Sequence, residues 1–433
     1  MWTRRIAVAS ATLWTGALGA VPAAAQDNST LLQPAVPVDY DRGRNVSVLQ
    51  RPRPDYDPLG IRRGSVMIYP RIDLGLGASD NVFLSSANKQ GDGFVSFAPS
   101  VRAETDWSRH EVRLSAGGRF RRYFDNGLRN VDEWNVGGLG RLDLGTDFSL
   151  TAEGQAARTQ EDPFNGATDA NVAALSRYRR NLAGLRGEYR HGHVRTVLSY
   201  DYQDFNFAPI NLGNGTTFSQ ANRDRSLSRV AGQFEYAFSP SLAAYTQVSY
   251  LRTDYSTQIS PGVPNRDSDG YRAIAGFSLD VSGFYRGIIG IGYTRRDFIS
   301  PLYKDVGGLS AEAQAEYFPS DFTTFTLNLR RTIEDSNIGI LSAYFDNRAS
   351  LKVDHELRRN LIVSAGGEYA KQDYIGTSTI DDIWRARVGA RYLASRLVSL
   401  QGELSHGNRR RSGVPNGFTI NETAGIVSLI LQR

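Results

Sequence analysis

Apolar and polar residues alternate with a period of two along many successive segments of this chain, beginning near Val66. In one such segment, Val112 and Leu114 alternate with Glu111 and Arg113. Successive side chains of a strand point to opposite faces, so this alternation predicts β-strands whose two faces meet different environments. The segments run for about 12 to 16 residues, which is long for a soluble sheet and suits strands that cross a bilayer at a tilt.

Eight short turn-forming breaks divide these segments into pairs. Gly, Pro, Ser and Asp residues in the breaks supply tight-turn geometry. Consecutive breaks are about 40 residues apart, which leaves room for two strands and one longer loop. The region 65–433 therefore divides into nine hairpins, which predict an all-β fold: a transmembrane antiparallel up-and-down β-barrel of about 18 strands. The breaks are Trp107–His110, Gly145–Asp147, Arg190–Gly192, Phe238–Ser241, Val281–Gly283, Phe318–Asp321, Leu357–Asn360 and Ala394–Arg396.

Longer polar connectors alternate with the short breaks, as the extracellular loops of such a barrel do. The two longest, 159–173 and 207–222, carry Phe164 and Phe218 among polar and small residues. Long loops without secondary structure of their own are usually functional or disordered. We expect one of the two to fold inward and narrow the interior.

The first 25 residues predict a cleavable signal peptide. Arg4 and Arg5 precede the apolar stretch 6–21, and Ala23–Ala25 follows it, which is the order of charged, apolar and small-residue regions in an export signal. No later apolar run is long enough for a transmembrane helix, so we expect the mature chain to cross a membrane by strands or not at all. A mean hydropathy of −0.37 is compatible with crossing, because only every second residue of such a strand faces lipid.

Residues 26–64 are a predicted periplasmic extension that precedes the barrel at 65–433. The segment shows no strand periodicity and mixes acidic and basic residues. Proline lacks the N–H group that strand pairing needs, so a proline-rich segment is unsuited to the wall of a closed barrel. We therefore expect a tether or a plug. The prolines are Pro34, Pro37, Pro52, Pro54 and Pro58.

Composition excludes several kinds of site. The chain has no cysteine, which excludes a disulfide framework, a thiolate metal site and a cysteine nucleophile. A formal net charge of +5 is too small to indicate nucleic-acid binding. His191 and His193 could share a face, but two ligands do not make a metal site, and the glycine-rich stretches 137–140 and 287–290 lie inside predicted strands rather than in phosphate-binding loops. We predict no enzyme activity, catalytic residue, metal or cofactor.

Charged side chains recur on the polar face of the predicted strands. A barrel of 16 to 18 strands generally encloses an aqueous channel that polar groups must line. These residues either form ladders of paired charges that keep the interior solvated and rigid, or they act specifically on a permeating solute. The near balance of acidic and basic residues argues against strong ion selectivity. The predicted pore-lining residues are Arg102, Glu104, Arg113, Arg119, Arg121, Arg195, Asp201, Glu235, Glu316, Arg330, Arg385, Arg387, Arg391 and Glu403.

Aromatic residues cluster near the ends of the predicted strands. Trp107, Tyr236 and Trp384 are examples, and most of the set falls on the outward face. This placement predicts girdles at the two membrane interfaces. A track of rings that stacks sugars along the pore is the alternative.

The segment Arg53–Arg62, which reads RPDYDPLGIR, and the later Asp80–Phe83 together resemble the opening signature of an outer-membrane porin family called β-barrel porin 2. The resemblance covers the chain from about Arg51 to its end. It implies an outer-membrane barrel of a Gram-negative bacterium without catalytic residues, and the association of some family members with exopolysaccharide export extends to this chain only weakly. One departure is the ending Gln432-Arg433, where many such barrels end in an aromatic residue.

These observations predict an outer-membrane channel for passive passage of a hydrophilic solute, with a saccharide or a secreted exopolysaccharide as the expected cargo. The competing interpretation is a docking barrel that recruits an envelope partner without an open pore. The expected partners are outer-membrane lipid, the barrel-assembly machinery and periplasmic polysaccharide-export components, and no nucleic acid. Conductance would separate the two interpretations.

Overall fold

The computed structural model describes residues 45–162, 164, 174–211, 217–336, 341–414 and 417–433. In this part of the chain, eighteen long strands form one antiparallel sheet. The predicted signal peptide and residues 26–44 lie outside the described residues. The long strands are β1 (Val66–Ser79), β2 (Asp92–Thr105), β3 (Glu111–Tyr123), β4 (Val131–Leu144), β5 (Phe148–Gln160), β6 (Arg177–His191), β7 (Val194–Phe207), β8 (Arg225–Ser239), β9 (Leu242–Tyr255), β10 (Ser268–Val281), β11 (Tyr285–Phe298), β12 (Val306–Ser320), β13 (Thr323–Asp335), β14 (Ala343–Arg358), β15 (Leu361–Tyr374), β16 (Ile380–Leu393), β17 (Val398–Ser412) and β18 (Phe418–Gln432).

The sheet closes on itself. Each long strand pairs with its neighbours in sequence, and β1 also pairs with β18, where Ile72 lies opposite Leu431 and Leu76 opposite Val427. Among the described strands, closure leaves the barrel sheet without an unpaired edge. A sheet within a bilayer must be closed in this way. The predicted barrel of about 18 strands is confirmed. Among the described residues, no helix is long and apolar enough to span a membrane.

Strand pairing begins earlier than the predicted boundary at residue 65. A short strand, Ile61–Arg63, turns back on β1 and pairs Ile61 with Ile68. Gly64 makes this turn with a φ of 60°, a backbone conformation that glycine adopts without a Cβ clash. A second short hairpin, Ile210–Asn211 with Thr217–Phe218, lies in the connector between β7 and β8.

Short turns join the strands at one end of the barrel, where the sequence predicts them. Gly145, Gly192 and Gly283 have positive φ values of 74°, 58° and 73° in three of these turns. Three other strands change register just before their turn, between Ala237 and Ser239 in β8 and at matching places in β12 and β14. Such bulges bend a strand and end its pairing. The long connectors lie at the other end.

The outer surface of the barrel is apolar. Leu198, Leu76 and Val427 are 63%, 61% and 63% exposed, and each faces away from the interior. A soluble chain would leave this band in water at a large cost, whereas lipid accommodates it. The outer surface therefore fits a bilayer.

Candidate functional site: the barrel interior

The polar faces of the strands line the inside of the barrel. In β7, Arg195 is 9% exposed and Leu198 is an exposed outer residue. In β16, Arg385 is 9% exposed and its neighbour Trp384 is 43% exposed. The register of the strands puts all fourteen predicted pore-lining residues on this inner face, whereas their role in permeation stays a prediction. The pairings that fix the register run through every strand that carries them.

Most of these residues pair with an oppositely charged side chain of the wall. The partners lie on adjacent strands or two residues apart on one strand, so charge is close to balanced where such pairs form. Arg102 and Arg113 each lie 3.6 Å from Glu104, Arg195 lies 3.4 Å from Glu235, Asp201 lies 2.8 Å from Arg229, Arg330 lies 3.3 Å from Asp346, Arg119 pairs with Glu133, and Glu316 pairs with Arg286.

The remaining predicted residues have other surroundings. The guanidinium of Arg121 lies over the ring of Phe94, 4.1 Å from its centroid. Arg387 and Glu403 act electrostatically on each other between β16 and β17. Arg391 lies near the ion pair of Arg71 and Asp73, which belong to β1.

Sequence reasoning missed a buried charge network near the long-connector end. Asp381 accepts hydrogen bonds from Arg409 at 2.7 Å and from Arg411 at 2.8 Å, and Asp381 and Arg409 are both fully buried. Residues 409–417 are a predicted connector, so an ion-pair network within a strand was not expected there. Strand β17 continues to Ser412, because the Asp381 carboxylate holds both arginines on the inner face. The alternation of Arg409 and Arg411 around a polar residue was the available signal.

The predicted connector 159–173 reaches into the barrel with its described residues. Asp162, which follows β5, accepts hydrogen bonds from Arg385 of β16 at 2.7 and 2.8 Å. Strands β5 and β16 are not neighbours, since β5 pairs with β4 and β6 while β16 pairs with β15 and β17. Asp162 therefore bridges separate parts of the wall.

Phe164 fastens the same connector to the inner wall. Its ring is 4% exposed and packs in an apolar cluster with Leu84, Ala370, Ile383 and Ile420. Leu84 comes from the connector after β1, and the other three come from β15, β16 and β18. The interior is therefore partly occupied at the long-connector end.

The second long connector packs against the first. Gln220 is 3% exposed and accepts a hydrogen bond from Ser176 at 2.9 Å. Arg223 forms an ion pair with Glu161, and its guanidinium lies 4.1 Å from the ring centroid of Phe207. The described ends of the two connectors are thus in contact, and the narrowing of the interior by one of them stays a prediction.

Residues Asn45–Asp57, here called the N-terminal strap, lie across the short-turn end of the barrel. Asn45 donates a hydrogen bond to Asp280 of β10 at 2.7 Å, and Arg286 of β11 donates to the Asn45 carbonyl at 3.0 Å. The backbone N–H of Val48, which is fully buried, donates to the hydroxyl of Thr324 in β13 at 2.9 Å. The first part of the strap is therefore hydrogen-bonded to three strands of the wall.

The second part of the strap continues toward β14 and β17. Arg53 forms an ion pair with Glu356 of β14 at 2.6 Å, and both side chains are 5% exposed. Arg396, in the turn between β16 and β17, donates to the Pro54 carbonyl at 2.7 Å. The strap therefore contacts strand ends and a turn across the short-turn end of the barrel, from β10 to β17.

Two charged groups outside the strands have pKa values that burial or a hydrogen bond shifts. Arg129, in the connector between β3 and β4, is 4% exposed, and burial lowers its pKa to about 10. In the turn before β5, a hydrogen bond with His191 lowers the pKa of Asp147 from its ordinary value. Over the described residues, no group of three or more His, Asp and Glu side chains is placed to hold a metal ion.

Comparisons with known proteins place the chain among outer-membrane barrels. Residues 53–433 match the model of a family described as Putative beta-barrel porin 2. No match is found among curated protein sequences. Many solved structures are similar.

Three of these structures illustrate the similarity. OpdK of Pseudomonas aeruginosa, an outer-membrane protein, is 14% identical, with 84% of this chain and 99% of that chain covered and a TM-score of 0.46. OpdL of the same organism is 11% identical, with 86% and 99% covered and a TM-score of 0.45. The siderophore receptor PirA of Acinetobacter baumannii is 8% identical, with 84% and 80% covered and a TM-score of 0.44. The barrel architecture of this chain follows from its own strand pairing.

Proposed function

The chain belongs to the outer-membrane family described as Putative beta-barrel porin 2, and from this premise we propose that it is a passive channel for hydrophilic solutes. One observation carries the proposal: a charged inner face lies behind an apolar outer face around the closed sheet. A solute that moves along such a face keeps polar partners while it crosses the hydrocarbon layer. The family and the fold indicate a channel rather than an enzyme.

The fourteen predicted pore-lining residues line the proposed path. Because Arg195 faces Glu235 and Arg229 faces Asp201, neither sign of charge dominates these parts of the wall. Strong selection between cations and anions needs a ring of one charge. We therefore expect weak ion selectivity in the wild-type channel.

A saccharide is the proposed cargo. Inner-face arginines support this choice: Arg223 and Arg225 lie over the buried rings of Phe207 and Phe205. Guanidinium N–H groups are donors to which sugar hydroxyls can hydrogen-bond. These rings differ from the outward-facing aromatics that suggested a stacking track in the sequence.

The second candidate is a docking barrel whose interior stays closed. The N-terminal strap favours it, because Arg53 and Glu356 anchor the strap across the short-turn mouth through a buried ion pair. A periplasmic polysaccharide-export component is the proposed partner in that case. Under either function, we propose that the barrel-assembly machinery inserts the chain through its last strand.

Planar-bilayer recording separates the two functions. The full mature chain should give stepwise conductance, and liposomes that contain it should swell with small sugars and more slowly with larger ones. A heat-denatured sample serves as the control. Absence of conductance from both the full chain and a variant without the strap would reject the channel and favour docking.

Cysteine labelling tests the proposed path residue by residue. The chain contains no native cysteine, so single substitutions report one position each. Arg195→Cys should react with a small, water-soluble, membrane-impermeant thiol reagent, whereas Leu198→Cys should be protected by lipid. The reverse pattern would contradict the proposed lining.

A further inference from the structure

Three arginines of the inner face interact with Asp162, at the start of the connector that follows β5, and a fourth, Arg121, acts electrostatically on Arg119. Arg119 and Arg121 belong to β3, and Arg385 and Arg387 belong to β16; together they are called the arginine cluster. The Asp162 carboxylate lies against Arg385, with its two oxygens 2.7 and 2.8 Å from one guanidinium nitrogen. The same carboxylate acts electrostatically on Arg119 and Arg387. A single carboxylate therefore lies within the field of several arginines.

The connector presents two groups to the Arg385 guanidinium. One is the Asp162 carboxylate, and the other is the Phe164 ring, whose centroid lies 4.9 Å away. The backbone N–H of Phe164 donates to Asp162 at 2.9 Å, which fixes the carboxylate beside the ring. The side chain of Arg385 is 9% exposed, so this arrangement is a built, largely desolvated contact.

The cluster has more donors than Asp162 satisfies. The Nε atoms of Arg119 and Arg121 are buried and have no hydrogen-bond acceptor among the described residues. Buried guanidinium N–H groups normally have an acceptor from the protein, from water or from a ligand. Nearby acids are already engaged. Glu133 bonds Arg119 and the backbone N–H of Gln160, and Glu422 accepts from Ser79 at 2.5 Å. Glu368 pairs with Arg348, and Glu403 acts electrostatically on Arg387.

We propose that the arginine cluster is a binding site for the carboxylate of a permeating solute, and that Asp162 takes the place of that carboxylate in the unliganded protein. Guanidinium groups match the planar, two-oxygen geometry of a carboxylate. The proposal rests on the proposed channel function, because a solute reaches the cluster through the barrel interior. It adds a chemical class of solute, which is a sugar acid or a small organic acid.

Calorimetric titration of the full mature chain in detergent micelles tests the site. The probes are sodium glucuronate, sodium propionate and glucose, with sodium chloride added to match ionic strength. We expect binding of the two carboxylates and none of glucose. Equal affinities for the two would identify a small acid as sufficient, and tighter glucuronate binding would identify a sugar acid.

Two substitutions move the affinity in opposite directions. Arg385→Gln should weaken carboxylate binding at least about tenfold, because it removes a charge-assisted hydrogen bond. Asp162→Asn should tighten binding, because it removes the competing internal carboxylate. Arg190→Gln is the matched control: Arg190 also pairs with an acid, Glu188, but it lies at the other end of the barrel, and its loss should leave binding unchanged.

The proposal is overturned if Arg385→Gln binds glucuronate as tightly as the wild type, or if glucose binds as well as glucuronate. Heat modifiability on gels shows whether each variant is folded. If Arg385→Gln does not fold, unchanged affinity in both Asp162→Asn and Arg387→Gln overturns the proposal instead. Binding in micelles does not need a conducting pore, so loss of conductance with intact binding would reject only the channel function.

Discussion

At the residue scale, the structure depends on contacts that close-packed side chains make across the wall. Tyr245 of β9 is 2% exposed, and its hydroxyl donates to Glu312 of β12 at 3.1 Å. To reach Glu312, the Tyr245 side chain lies over Gly290 of β11. A Cβ at position 290 would lie 2.1 Å from the Tyr245 oxygen, so only glycine fits beneath the ring.

Gly290→Ala should therefore destabilise the barrel by about 1–3 kcal/mol through overpacking. The midpoint of urea unfolding in phospholipid vesicles measures the change. Tyr245→Phe in the same chain should recover part of the loss, because it removes the atom that the new Cβ meets. Gly232→Ala is the control, since nothing lies within 4 Å of its added Cβ. Equal effects at 290 and 232 would contradict the steric explanation.

The ion pair of Arg53 and Glu356 gives a second prediction at this scale. Removing one partner of a buried pair leaves an uncompensated charge and costs about 3–5 kcal/mol. Glu356→Ala should therefore release the strap while the barrel stays folded, and the Val48 amide should exchange with deuterium faster. Asp106→Ala is the control, because Asp106 pairs with Arg62 in an exposed bridge of little worth. Unchanged exchange at Val48 in Glu356→Ala would show that the pair does not hold the strap.

At the scale of strands and connectors, the sequence predicts local pattern well and distant contacts poorly. Alternation such as that of Val112 and Arg113 depends only on which face meets lipid, so strand number and phase could be read directly. The contact of Asp162 with Arg385 could not, because it joins strands that become close only when the barrel closes. The end of β17 was misplaced for a different reason: Arg409 and Arg411 lack the apolar alternation that marks a strand, and they pair with Asp381 of the adjacent strand β16.

Phe164→Ala tests whether the connector after β5 restricts the path. The substitution removes a 4%-exposed ring from its cluster with Leu84 and Ile383, which costs about 3 kcal/mol of local packing. The connector should leave the wall more often, so single-channel conductance or its fluctuation should rise. Phe218→Ala, in the other long connector, removes a 61%-exposed ring and should have no effect. If the two variants conduct alike, the Phe164 contact does not restrict the path.

At the scale of the whole molecule, the barrel and the strap differ in what holds them. Closure rests on the pairing of β1 with β18, in which Ile72 lies opposite Leu431 and Leu76 opposite Val427. The strap adds side-chain contacts to strands that are already paired, such as that of Asn45 with Asp280, and contributes no strand to the sheet.

A variant that keeps the predicted signal peptide but lacks residues 26–57 should therefore still assemble as a heat-modifiable barrel. Because the strap lies across the short-turn end from β10 to β17, its removal should widen that end and raise conductance. The matched control keeps the strap and lacks only residues 26–44. Loss of the folded band in the longer deletion alone would show that the strap is required to build the barrel, and equal conductance of both variants would show that it does not narrow the mouth.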